Sequence, residues 1–179
     1  MRLLGRHHRR RDRGQSLAEF ALVAPIFFLL VFSVIQLGLV FGTQNGLVNG
    51  AREAARRAAT YRINEQSFDI SVWNSICDTI EAEVVQLGDR VIPAYDDARL
   101  TPTVAYEWVP NPEVGDYSLI AVVTAEYDHP LYVPLVSFFL DRFDANPGDG
   151  ALTLSATERM RVENPALEFT GTPPTPPSC

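Results

Sequence analysis

GQSLAEFALVAPIFFLLVFSVIQLGLVF, residues 14–41, is the stretch on which the reading of the whole chain turns. From Phe20 to Phe41 it carries 22 residues without a charge. Wound as an α-helix they cover about 33 Å at 1.5 Å per residue, against about 30 Å of bilayer hydrocarbon. A core helix of a soluble protein keeps a polar face. Here Ser33, Gln36 and Gly38 are the only soft spots in the second half. The segment is therefore expected to cross a membrane. Pro25 removes one backbone hydrogen bond and is expected to bend the axis in the first half of the span. Glu19, a lone carboxylate, stands at its threshold.

The charges around the span set its direction. Residues 1–14 hold six arginines against Asp12, whereas residues 62–179 hold six arginines against nineteen acids, near −13. The positive-inside rule keeps the basic end in the cytoplasm and sends the acidic part across. Arg52, Arg56 and Arg57 oppose this weakly, because they begin eleven residues beyond Phe41. A cleaved secretory signal would have a shorter apolar core and a small-x-small site, which Phe41-Gly42-Thr43-Gln44 does not supply. A domain this acidic repels nucleic-acid phosphates, so no nucleic-acid partner is expected. The chain contains no lysine, which is read as genome composition.

Past the span the helical pattern continues. Gly38, Gly42, Gly46, Gly50, Ala54 and Ala58 fall at steps of four. This row of small residues forms a ridge on which a second helix backbone can approach closely. The competing reading is a weakened helix, since each interior glycine costs about 1 kcal/mol relative to alanine.

Beyond the ridge the pattern is α+β. Residues 68–87 place Ile70, Trp73, Ile76, Ile80, Val84 and Leu87 at helical steps, with Asp69 as the cap and Gly88 after the end. Residues 93–102 read as a connection. Strands are expected over Thr103–Val109, Tyr117–Tyr127 and Ala151–Glu163, the second central because Leu119, Ala121, Val123 and Ala125 alternate with Ile120, Val122, Thr124 and Glu126. Residues 131–141, LYVPLVSFFLD, read as a short helix against the sheet or as a surface-seeking apolar patch. The organisation is a basic leader (1–14), a transmembrane helix (15–41), its exposed continuation (42–62), an α+β domain with an antiparallel sheet of three to four strands (63–164), and a proline-rich disordered tail (165–179). The part beyond the span is long enough for one small domain and not comfortably for two.

No catalytic constellation stands out. His7 and His8 lie in the arginine tail and His129 stands alone before Pro130. No zinc-protease, nucleophile-elbow, phosphate-loop or CxxC motif occurs. Residues 144–150 resemble a calcium loop only faintly and lack its terminal glutamate, so they are read as a turn. No metal or cofactor is expected, and the chain is not read as an enzyme. Cys77 and Cys179 either bridge, if the domain is exported, or remain a buried thiol and a mobile one.

Gly14-Gln15-Ser16-Leu17-Ala18-Glu19-Phe20 resembles a type IV prepilin cleavage motif, with glutamate-phenylalanine at the fifth and sixth positions after the glycine. With the following apolar helix, the early Pro25 and the AREAAR segment at 51–56, the stretch 13–60 resembles the TadE-like proteins of tight-adherence (Tad/Flp) pilus systems. The resemblance implies a pilin-like minor subunit or pseudopilin cut between Gly14 and Gln15 by a prepilin peptidase. Glu19 and Phe20 would complete the processing motif, and Glu19 would pair with the freed amine of Gln15 on a neighbour. Implied partners are the peptidase, other pilins, the membrane assembly platform and the lipid bilayer. The implied location is the inner membrane, single-pass, with the domain outside or carried into the extracellular pilus. The related TadG-like proteins carry much larger exported domains. The rival readings are a type II secretion pseudopilin and an uncleaved membrane-anchored adhesin or scaffold.

Overall fold

The computed structural model describes residues 9–63, 69–93, 95–111, 116–140, 142, 148–163, 175–176 and 179. Most of the basic leader, the tip of the 112–115 turn, the first part of the calcium-like loop and most of the proline-rich tail lie outside the described residues.

Helix α1 runs from Arg9 to Thr60, 52 residues, and passes through Pro25 without a break in assignment. Its two halves differ in surroundings. From Leu17 to Ile35 the large apolar side chains, the half-buried Val31 apart, are exposed, whereas Ala51, Ala54, Ala55 and Ala58 have no exposed surface at all. The first half needs an apolar solvent; the second is one wall of a protein core.

Helix α2 spans Ile70–Val91, and the Asp69 carboxylate accepts from the Ser71 amide to cap its start. Trp73, Cys77, Ile80, Val84 and Leu87 are the buried stripe expected from the spacing. The helix does not stop at Gly88, however; it runs one further turn to Val91. Gly88 is small because the Tyr95 ring crosses it: a Cβ there would lie 2.8 Å from Tyr95 Cε2. The glycine marks a close approach, not a helix end.

A short 3-10 turn, Asp97–Arg99, leads into strand β1, Leu100–Asn111. β1 starts earlier than the sequence pattern suggests and includes Pro102, which an edge strand tolerates because one row of its backbone groups faces no neighbour. β2, Asp116–Pro130, is the central strand of an antiparallel sheet of order β1-β2-β3, and β3 covers Ala151–Arg161. Its alternation sorts the two faces. Leu119, Ala121, Val123, Ala125, Tyr127 and His129 are buried against the helices. On the opposite face Thr124 and Thr157 pair across the strands through their hydroxyls at 2.9 Å.

Helix α1 lies across β2 and β3, and α2 packs beside it toward β1. The Trp73 ring meets the Tyr106 ring edge-on at 5.0 Å, and Tyr106 Oη donates to the Ala58 carbonyl at 3.1 Å. Burial raises the Tyr106 pKa, so the phenol remains a donor. Val162 and Glu163 close the fold by donating to Leu119 and Ala59. The connection from β2 to β3 carries a third helix, α3, Pro134–Leu140.

Candidate functional site

Two regions concentrate the candidate residues: the start of α1, and the level at which α1 leaves its exposed apolar half and enters the domain.

At the start, Gly14 lies within α1 with no heavy atom inside 4 Å of where a Cβ would be. Gln15 Nε2 donates to Glu19 Oε1 at 3.0 Å, one helical turn on. Phe20 is exposed. Gly14, Gln15, Glu19 and Phe20 therefore share an open helix end that no other part of the described chain covers.

The small-residue ridge has an occupant. The helix that approaches it is the chain's own α2, running antiparallel to α1. A Cβ on Gly46 would stand 2.4 Å from the Val91 carbonyl oxygen, and one on Gly50 would touch Leu87 and Val91 at 3.9 Å. Gly42 faces Pro93 at 3.6 Å, while Gly38 meets nothing within 4 Å. Ala54 and Ala58 continue the row into the core. From Gly42 onward the ridge is an internal joint, not an open face.

At the exit from the apolar half sits a buried polar cluster, of which Gln36 in an apolar stretch is the one local sign. Gln36 is 1% exposed and His129, 93 residues later, 2%. Gln36 Oε1 accepts from the Tyr132 amide at 2.9 Å. Its Nε2 reaches the Pro130 carbonyl at 3.4 Å and His129 Nε2 at 3.5 Å. The other imidazole nitrogen, Nδ1, lies 3.0 Å from Thr43 Oγ1. With Gln36 donating to Nε2, the network assigns the ring proton to Nδ1 and the neutral state to the ring. Burial, with a smaller contribution from the Arg99 charge, lowers the His129 pKa in keeping with that state. Gln36, Thr43 and His129 are thus a fastener between α1 and the end of β2. A glutamine in an apolar helix is tolerated because its amide is satisfied inside the protein.

Further along α1 the charges are structural. Arg56 donates to Glu53 at 2.6 Å and, together with Arg57, holds the Glu53 carboxyl down to about 2. Arg57 also pairs with Glu83 on α2, and Arg52 with Glu158 on β3 at 3.2 Å. The sulfurs of Cys77 and Cys179 are joined, with their Cα atoms 5.7 Å apart, so the last residue is tied to the middle of α2.

Two shallow depressions flank α2, one beside Asp78 and Glu83, the other beside Asp89, Tyr95 and Asp96. Among the described residues no group of three His, Cys, Asp or Glu side chains is placed to hold a metal ion.

Among the described residues one helix, over Gly14–Thr60, is long and apolar enough to cross a membrane by length and composition, and its most apolar stretch is almost wholly unburied. The sequence profile of the TadE-like protein family matches residues 14–56. The match begins at Gly14 and takes in Glu19 and Phe20, the apolar half of α1 and most of the ridge. No curated protein and no solved structure matches the chain.

Proposed function

We propose that this TadE-like, Tad-pilus-associated chain is a minor pilin or pseudopilin, cut between Gly14 and Gln15 by a prepilin peptidase and acting in pilus assembly. One observation carries the reading: the family match and the unburied apolar helix start together, at a glycine followed at the fifth and sixth positions by Glu19 and Phe20. In this account the helix has two successive solvents. It waits in the inner membrane with the arginine-rich end in the cytoplasm and the acidic domain outside. It then exchanges lipid for the apolar flanks of neighbouring subunits or of the assembly platform.

Glu19 has a role in that exchange. A charge at midspan costs about 2.5–3.5 kcal/mol on insertion scales, and less at the membrane edge. Removal of residues 1–14 frees the amine of Gln15, and an ammonium on a neighbouring subunit repays the carboxylate by pairing with it. The ridge does not serve this contact, because Pro93 and α2 fill it from Gly42 onward. The partner surface is the exposed flank from Leu17 to Gly38. The role is structural and calls for no cofactor.

The test is complementation of a pilus-negative deletion strain. The wild-type chain restores piliation. Glu19→Ala is inserted and cut but does not. Full piliation with Glu19→Ala would remove the assembly role of the carboxylate.

A further inference from the structure

The connection between β2 and β3 contains no charge from Leu131 to Leu140. Two of its large side chains face outward, Tyr132 at 56% exposure and Phe138 at 68%. We propose that this segment is a second membrane contact, an aromatic foot that seats the folded domain in the headgroup region of the leaflet from which α1 emerges.

The Tyr132 amide and the Pro130 carbonyl are bonded to the Gln36 side chain, which fixes the start of the segment at the level of Gln36 on α1. Hydrocarbon about 30 Å thick accommodates about twenty residues at 1.5 Å each. Counted from Phe20, the first residue past Glu19, that thickness ends near Val40. Gln36 then lies about 6 Å on the lipid side of the boundary, within the 5–10 Å to which interfacial apolar segments sink. Leu37 and Phe41, on the part of α1 flanking this level, are themselves exposed and apolar. Lipid is therefore the solvent at the height where Tyr132 stands, and α3, which begins two residues later, lies against α1. Tyrosine is among the residues that favour the membrane–water interface.

The fastener acquires a reason from this. Gln36 lies where water is scarce, so its amide must find partners within the protein, and His129 and Thr43 carry the network on into the domain. Two anchors, the span and the foot, also restrict how far the domain can swing about the axis of α1. The inference rests on α1 spanning the bilayer and not on cleavage at Gly14.

Nitroxide labels on the full chain in phosphatidylcholine nanodiscs test it. With Cys77 and Cys179 bridged, a Phe138→Cys substitution introduces the thiol to be labelled, with Ile35→Cys in the span and Ser75→Cys far along α2 as references. The label at 138 is expected to collide with oxygen in preference to a water-soluble nickel complex, as at 35 and opposite to 75. Raising the salt should leave this unchanged, because the contact is apolar. A water-type pattern at 138 beside a lipid-type pattern at 35 overturns the foot. Shielding from both reagents with spin–spin broadening overturns it in favour of a second copy. A water-type pattern at 35 overturns the span and the foot with it.

Discussion

The Val91 carbonyl oxygen lies 2.4 Å from where a Cβ on Gly46 would be, so α1 and α2 touch through backbone at this crossing. A carbonyl that ends a helix has little room to retreat, and any side chain at position 46 must push the helices apart. Gly46→Ala is expected to lower the stability of the domain by about 1–3 kcal/mol, the usual range for overpacking. Gly38→Ala, where nothing lies within 4 Å, should be neutral or gain up to about 1 kcal/mol of helix propensity. Thermal unfolding of both variants in detergent checks the contrast. Equal melting temperatures would mean the ridge is not the joint.

Gln36→Leu removes the acceptor for the Tyr132 amide and a donor for both the Pro130 carbonyl and His129. Leaving buried polar groups unpaired costs about 1–3 kcal/mol. The loss should appear locally: faster hydrogen exchange at the Tyr132 amide, with the β1–β2 hairpin little changed. Unaltered exchange at Tyr132 would show that the amide is held by something else.

His129 makes that fastener sensitive to pH. Its pKa is lowered from 6.5 in the folded chain, chiefly by burial. The unfolded chain then binds the proton more readily, so this contribution to stability is fully present above pH 6.5 and is lost as the pH falls through the interval down to the folded value. Protonation also sets an N–H against the Gln36 amide donor. Melting temperature should drop between pH 7 and 5 in the wild type, and that part of the drop should vanish in His129→Gln. Superimposable profiles for the two would exclude His129 as its source.

Cys77 and Cys179 enclose a separation of 102 residues, and closing a loop of that length restricts the unfolded chain by up to about 4.7 kcal/mol on the chain-entropy model. Reduction, or Cys77→Ser, should shift the denaturation midpoint downward and release the tail to proteases. The bridge also reports topology, since it forms on the oxidising side of the membrane. Two thiols that react freely with a maleimide in protein taken from oxidising membranes would contradict it.

The parts of the fold legible in the sequence are those encoded by neighbours. The apolar run from Phe20 to Phe41, the Asp69 cap and the alternation of β2 each express a local rule, and each stands where the sequence places it. Gly88 looked like a stop signal because glycine commonly follows a helix; the reason it is glycine, the Tyr95 ring, lies seven residues on in a separate turn. The ridge was legible as a close-contact surface, but its occupant was not, since nothing in Gly42 or Gly46 names Val91 as the neighbour. The Gln36–His129 pairing was hidden most deeply. One member looked like a soft spot in a span and the other like a stray histidine, and only the antiparallel sheet brings them together. The sole local hint was a glutamine in an otherwise apolar helix.

The most direct test of the account is the mass of the mature chain. The protein is co-expressed with an active or an inactivated prepilin peptidase, extracted from membranes, and read at its N-terminus by mass spectrometry. The account expects a chain that begins at Gln15 with the active enzyme only, and no such product from Gly14→Leu. A wild-type chain that keeps Met1 to Gly14 in the presence of a peptidase shown to cut another prepilin would contradict it.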